Sequence, residues 1–164
     1  MKLQKKVISQ LSEVLKGKHL DKVSIDAQIN LAKAGVACSI LNTEYESVKK
    51  TIVDGNKPKD FDINLEKLKA IESKGGFDLS TKDGYDKWKE SLSEKEFKDH
   101  EDLAKKFNKQ YIDYQKSISE QLKKIEEEES DVEINKIEKS DFELFLKANN
   151  FTTDEVAILF NIME

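Results

Sequence analysis

The sequence contains no arginine, and its 28 basic side chains are outnumbered by 33 acidic ones. Bidentate guanidinium contacts to guanine edges and to phosphate are therefore missing. The net charge of −5 also gives the whole chain a field that repels nucleic acid. These two features count against a nucleic-acid partner.

Cysteine and histidine are scarce as well. The single cysteine, Cys38, excludes an internal disulfide, and its Ala and Ile neighbours predict a buried, inert thiol. His19 and His100 lie far apart, without the spacing of a metal site, and no phosphate-binding loop or GxSxG motif occurs. We expect no metal, no cofactor, no catalytic residues and no enzymatic activity.

Long apolar runs are missing too. No segment approaches the roughly 20 apolar residues that span a bilayer. The start, MKLQKKVISQL, has charges scattered through it, unlike the apolar core of a signal peptide. We expect a protein of the cytoplasm that has no membrane partner.

What remains is typical of long helices: 37% charged residues, 37% apolar residues and only one proline. We predict an all-α fold that forms one cooperative domain. Residues 1–53 are expected to form a helical hairpin, and residues 54–93 an irregular connection with one short helix. Residues 94–164 are expected to form a long coiled-coil-like helix, a short strand near 131–137 and a C-terminal helical hairpin.

The hairpin is predicted from apolar spacing. Residues 2–16 repeat apolar side chains every three or four positions, and Gly17 ends that helix. Ser24 caps a second helix that runs to about Val53. We place the following residues on the buried side of its first half: Ile25, Ile29, Ala32, Val36 and Ile40.

The segment LAKAGVACSIL, residues 31–41, combines small residues with a single charge. One interpretation is that the first helix packs closely against it within the chain. The other is a seam between subunits, because a helix that is apolar most of the way round needs cover on several sides. The predicted seam contains Ala32, Gly35, Val36 and Ser39. Gly35 weakens an isolated helix by roughly 1 kcal/mol, so we expect a close contact there.

The long helix begins at a capping box formed by Ser93 and Glu96. Its length of about 54 Å, at 1.5 Å per residue, exceeds what a core of this size needs. We expect part of it to project or to pair with a second copy. The strand near 131–137 also needs a partner, either a second copy or a segment of residues 61–93. The predicted seam of the long helix is Phe107, Tyr111, Tyr114, Ile118, Leu122 and Ile125.

Tyr85 and Trp88 lie off every long apolar stripe and near three lysines: Lys82, Lys87 and Lys89. They are the best candidates for exposed aromatic rings that stack on a small nucleotide or contact a host protein. The alternative is that they cap the core. The C-terminal helix pair, residues 142–162, has the spacing of a helix-turn-helix unit but lacks a recognition helix, so we expect a structural hairpin.

The order of these elements resembles that of small uncharacterised helical proteins of phages and prophages. The resemblance covers most of the chain through MKLQKKVISQL, SIDAQINLAKAGVACSILNTEYESVKK, FNKQYIDYQKSISEQL and the final ESDVEINKIEKSDFELFLKANNFTTDEVAILFNIME. It implies a phage protein acting in a bacterial cytoplasm and brings no residue roles with it.

Together these features predict a homo-oligomeric, non-enzymatic protein that sequesters a host factor or a small nucleotide signal, as in counter-defence. One alternative is a virion assembly or scaffolding factor, in which the long helix serves as an assembly rod. A second alternative is a nucleic-acid-associated regulator.

Overall fold

The computed structural model describes residues 1–164 and has an all-α architecture with one small sheet, as predicted. Its elements in chain order are β1 (Lys2–Gln4), α1 (Lys5–Leu15), α2 (Ile25–Asn56), α3 (Phe61–Glu72), a 3-10 turn (Lys74–Gly76), α4 (Lys82–Ser91), α5 (Glu94–Glu127), β2 (Glu129–Asp131), α6 (Lys139–Ala148), α7 (Thr153–Leu159) and a second 3-10 turn (Phe160–Ile162).

The chain divides into two compact units. Unit 1 contains residues 1–52 and 121–164, and unit 2 contains residues 53–120. The first boundary lies near the end of α2, and the second lies inside α5. The segments predicted from the sequence, in contrast, placed the whole of the long helix together with the C-terminal hairpin.

Unit 1 is built around the apolar side of α1. Ile8 and Leu11 are 2% and 0% exposed, because their spacing places them on one face of that helix. Helices α6 and α7 and the second 3-10 turn supply aromatic and aliphatic side chains to the same cluster, namely Phe142, Phe145, Leu159 and Ile162. The chain ends therefore meet in one core.

The two short strands also join the chain ends. β1 pairs antiparallel with β2, with Leu3 opposite Ser130, and the amide of Lys5 donates to the carbonyl of Glu128. The strand predicted near 131–137 therefore lies earlier, at residues 129–131. Both of its predicted partners, a second copy and a segment of residues 61–93, are wrong, because the N-terminus of the same chain pairs with this strand. Residues 2–4 are accordingly extended where a helix was predicted. Ile137 forms only an isolated bridge with Met163.

In unit 2, the segment between α2 and α5 forms two helices, α3 and α4, where the sequence predicted one. Thr81 caps α4 by accepting a hydrogen bond from the amide of Gly84 at 3.0 Å. The predicted capping box at the start of α5 is present, since Ser93 and Glu96 exchange hydrogen bonds. Trp88 of α4 is completely buried, and its indole nitrogen donates to the carbonyl of Ile71 at 3.1 Å. This hydrogen bond ties α4 to α3.

Candidate protein-binding surface

Helix α2 carries apolar side chains on two opposite faces, and the chain buries only one of them. The buried face of its first half consists mainly of small residues, each at most 3% exposed: Ala27, Leu31, Ala34 and Cys38. Their spacing of four, three and four residues places them on one side of the helix. The prediction that the larger aliphatic residues face the core is therefore wrong.

The opposite face holds those larger residues in solvent. Ile25 is 74% exposed, Val36 61%, Ile40 57% and Ile29 45%. Together with the exposed Ala32 they form what we call the α2 stripe. The chain buries the small face because small side chains let neighbouring elements approach the helix backbone closely, which leaves the β-branched face outside.

The uncharged surface continues beyond the α2 stripe. Ser39, Thr43 and Ser47 are exposed and extend the same face of the helix. From Ile25 to Ser47 the face is about 33 Å long at 1.5 Å per residue. Lys33 and Glu44 lie on one flank of it, eleven residues or about three turns apart, and both are exposed without an ion pair in the chain. The face is thus apolar along its centre and charged on one side.

A groove of about 330 Å³ runs beside the α2 stripe, between α1 and α2. Ala32 and Val36 line it on one side, and Leu15 of α1 lines it on the other. The side-chain oxygen of Asn42 is buried in this part of α2 without a hydrogen-bond partner. A Cβ atom at Gly35 would lie 3.8 Å from that of Leu15, an ordinary van der Waals distance. Helix α1 therefore does approach Gly35, but at a distance that leaves room for a Cβ atom.

The residues of the predicted seam thus lie at different depths. Ala32, Val36 and Ser39 are exposed, and Gly35 is half-buried beside α1. Sequence reasoning found this helix but assigned its two faces the wrong way round. The available signal was that the helix has apolar residues on both sides, so that either side could serve as the core face.

The predicted seam on α5 packs against α3 of the same unit over part of its length. The ring of Phe61 lies 4.8 Å from that of Phe107, 6.4 Å from that of Tyr111 and 5.5 Å from that of Tyr114. Tyr111 remains 46% exposed, and Ile118 is buried. Leu122 and Ile125 are half-buried in unit 1. A seam between copies along α5 stays a prediction.

One of the two aromatic rings that were predicted to bind a ligand is buried. Trp88 is 0% exposed, so the prediction of an exposed ring is wrong for this residue, and its ring contacts that of Tyr85 at 5.5 Å. Tyr85 itself is 41% exposed. Of the three nearby lysines, Lys87 pairs with Asp83 at 2.7 Å, Lys89 lies 4.6 Å from the centre of the Phe97 ring, and Lys82 is exposed. No gap between the rings remains in which a base could stack.

The polar cluster at the start of α3 is internally satisfied. Asp60 accepts hydrogen bonds from Lys106 and Gln110, both at 2.8 Å, and from Asn64 at 3.0 Å. The Lys106 ammonium, Gln110 and Asn64 hold the pKa of the Asp60 carboxyl well below its usual range. Such a carboxylate stays ionised and is a poor general acid. The cluster joins α3 to α5.

A second polar contact joins the same two helices. His100 lies 3.1 Å from a carboxylate oxygen of Glu72, and its ring packs against Trp88 with the centroids 4.9 Å apart. No group of three or more His, Cys, Asp or Glu residues is arranged to hold a metal ion. The His100 side chain thus contributes to the packing of α3, α4 and α5.

None of the helices is both long enough and apolar enough to cross a bilayer. No protein-family model, no curated protein and no solved structure matches the chain. The exposure of its four large aliphatic side chains makes the α2 stripe the main candidate for a functional surface.

Proposed function

We propose that this chain is a non-enzymatic binding protein that acts by stoichiometric occupancy, and that the α2 stripe is its contact surface. The occupant is a helix with an apolar face of its own. The observation that carries the proposal is the exposure of four large aliphatic side chains, from 45% to 74%, along one face of a helix whose opposite face already holds the core.

The physical reason is the cost of leaving this surface in water. Complete burial of one Val or Ile side chain contributes about 1.5–3 kcal/mol. Contiguous exposed apolar surface on a soluble chain is a mark of interaction sites, whereas isolated exposed residues need no explanation. Spacings of three and four residues along about 33 Å match the way in which one helix presents its anchor residues to another.

The resemblance to phage proteins supplies the setting for this activity. In a bacterial cytoplasm such a protein interferes with a host component by occupying it, in the manner of counter-defence. A small nucleotide signal held at Tyr85 and Trp88 is not part of the proposal, because the Trp88 ring is buried. A virion scaffold would use the same apolar surface for open-ended growth, whereas a sequestering protein forms a closed, small complex.

Native mass spectrometry of the full-length chain recovered from bacterial cells tests the proposal. We expect complexes made of whole polypeptides in a fixed ratio, without a retained small molecule, and we expect the variant Val36→Lys to lose them. Ile112→Lys is the matched control, since Ile112 is 64% exposed and belongs to α5, not to the α2 stripe. A monomer in every case, or complexes that survive Val36→Lys unchanged, would contradict the proposal.

A further inference from the structure

We infer that the helix covering the α2 stripe is α2 of a second copy of this chain, packed antiparallel about a two-fold axis near Ser39. The inference rests on the proposed function, because it names the occupant of the same surface. It yields a closed dimer in which the two α2 stripes cover each other, so a host component binds this surface only after the two copies dissociate.

The first argument is charge complementarity. In an antiparallel helix pair the same flank of both helices meets, so a residue on that flank faces a residue of the second copy on the same flank. Lys33 and Glu44 share one flank of α2 and have opposite charge. A two-fold axis midway between them brings Lys33 of each copy opposite Glu44 of the other. Both ion pairs form at once, and neither residue has a competing ion pair within the chain.

The second argument is that the same axis, to within one residue along α2, also aligns the apolar side chains. It places Val36 opposite Ile40 of the second copy, and Ile40 opposite Val36 of the second copy, at the centre of the contact. Ala32 then lies opposite Thr43 of the second copy, where two smaller side chains let the backbones approach. The central Val36 and Ile40 side chains are the second and third most exposed of the α2 stripe.

The same geometry excludes a competing ion pair, that between Lys33 and Asp26 of a second copy. Lys33 could face Asp26 of a second copy, since Asp26 lies on the same flank and is exposed. That arrangement moves the axis to about Asn30 and leaves Ile40 beyond the end of the partner helix. It leaves uncovered one of the most exposed side chains of the α2 stripe, so Glu44 is the better partner.

The pattern of charges and the pattern of apolar side chains are each self-complementary about this axis. This favours a second copy of the chain over a helix of a different protein. A two-fold contact uses one surface patch twice and closes on itself, without open-ended growth. One pair of helices touching over about 33 Å is a small interface. The dimer is therefore expected to dissociate on dilution into the low micromolar range.

Sedimentation analysis of the full-length chain with charge-swap variants tests the inference. Lys33→Glu places two carboxylates opposite each other twice, and Glu44→Lys does the same with two lysines. Each variant alone is expected to dimerise roughly tenfold more weakly than the wild type in dilute salt. A one-to-one mixture of the two is expected to recover the wild-type affinity, because every pair in the mixed dimer is again attractive. Asp26→Lys is the matched control and leaves dimerisation unchanged.

The possible outcomes test the two-fold contact and the proposed function separately. Recovery in the mixture, reduced in 1 M salt by screening, supports the two-fold contact. Dimers that are indifferent to both swaps, or that respond to Asp26→Lys instead, overturn it. If the wild type sediments as a monomer of 18.8 kDa at all concentrations, the inference fails. The proposed function then still stands if native mass spectrometry shows a Val36-dependent complex with a different polypeptide, and falls if it does not.

Discussion

At the scale of single residues, burial and not residue type decides which side chains are candidates for function. Trp88 and Tyr85 are three positions apart on α4, yet one is 0% exposed and the other 41%. From the local sequence, a tryptophan surrounded by lysines and turn-forming residues is expected to be exposed. Its burial depends on α3 and α5 packing over it, which no local pattern encodes.

Because Trp88 is the only tryptophan, its fluorescence reports on this site directly. We expect blue-shifted emission and little quenching by iodide in the native protein, with full quenching in urea. A native emission maximum and quenching constant like those of free tryptophan would contradict the burial of the ring and restore a stacking site there.

Cys38 gives a second prediction at this scale. The thiol is 0% exposed, and desolvation raises its pKa to about 11. A raised pKa lowers the thiolate fraction at pH 8, and the thiolate is the reactive form. We expect no reaction with a thiol reagent such as dithionitrobenzoate in the native protein and complete reaction after unfolding. Rapid labelling of the native protein at pH 8 would show that this face of α2 is open.

At the scale of elements, periodicity locates helices but does not say which face of a helix becomes the core. The helices at residues 5–15, 25–56 and 94–127 lie close to the predicted ranges, because apolar spacing and caps are local signals. The strand at residues 2–4 and its pairing with β2 were not predicted, because pairing between residues more than 120 positions apart leaves no local pattern in the sequence. The faces of α2 were exchanged because both are apolar.

Two glycines provide a matched test of element packing. A Cβ atom at Gly84 would clash with the backbone carbonyl oxygen of Asp78, whereas one at Gly55 would meet nothing within 4 Å. We expect Gly84→Ala to lower the free energy of unfolding by about 1–3 kcal/mol through overpacking. We expect Gly55→Ala, within helix α2, to be neutral or stabilising by up to about 1 kcal/mol. Urea unfolding curves measure both, and equal midpoints for the two variants would argue against the turn at residue 78.

The cap of α5 makes stability depend on pH. Glu96 accepts hydrogen bonds from Lys74 and from Ser93, and these hold its pKa at about 2, below its ordinary value of 4.5. A lowered pKa in the folded state contributes stability above pH 4.5, and that contribution is lost as the pH falls toward 2. Glu96→Gln is therefore expected to lower the urea midpoint at pH 7, with the difference from wild type vanishing near pH 2. A difference that stays constant with pH would exclude this ionic contribution.

At the scale of the whole molecule, the chain uses its apolar residues in two ways. One set closes the core of each unit, and the α2 stripe remains on the surface. Composition predicted the all-α class, and the small-residue segment lies on the same helix as the exposed α2 stripe. Which surface stays uncovered could not be predicted, because it depends on how every other element packs.

Hydroxyl-radical footprinting of the wild-type protein, read by mass spectrometry at low and high concentration, tests most directly whether the α2 stripe is a contact surface between copies. Oxidation of Ile25, Ile29, Val36 and Ile40 is expected to fall as concentration rises, while that of Ile63 and Ile112, which are 53% and 64% exposed, stays constant. Labelling of the four residues that does not change with concentration would contradict the dimer, and it would leave the α2 stripe open to water.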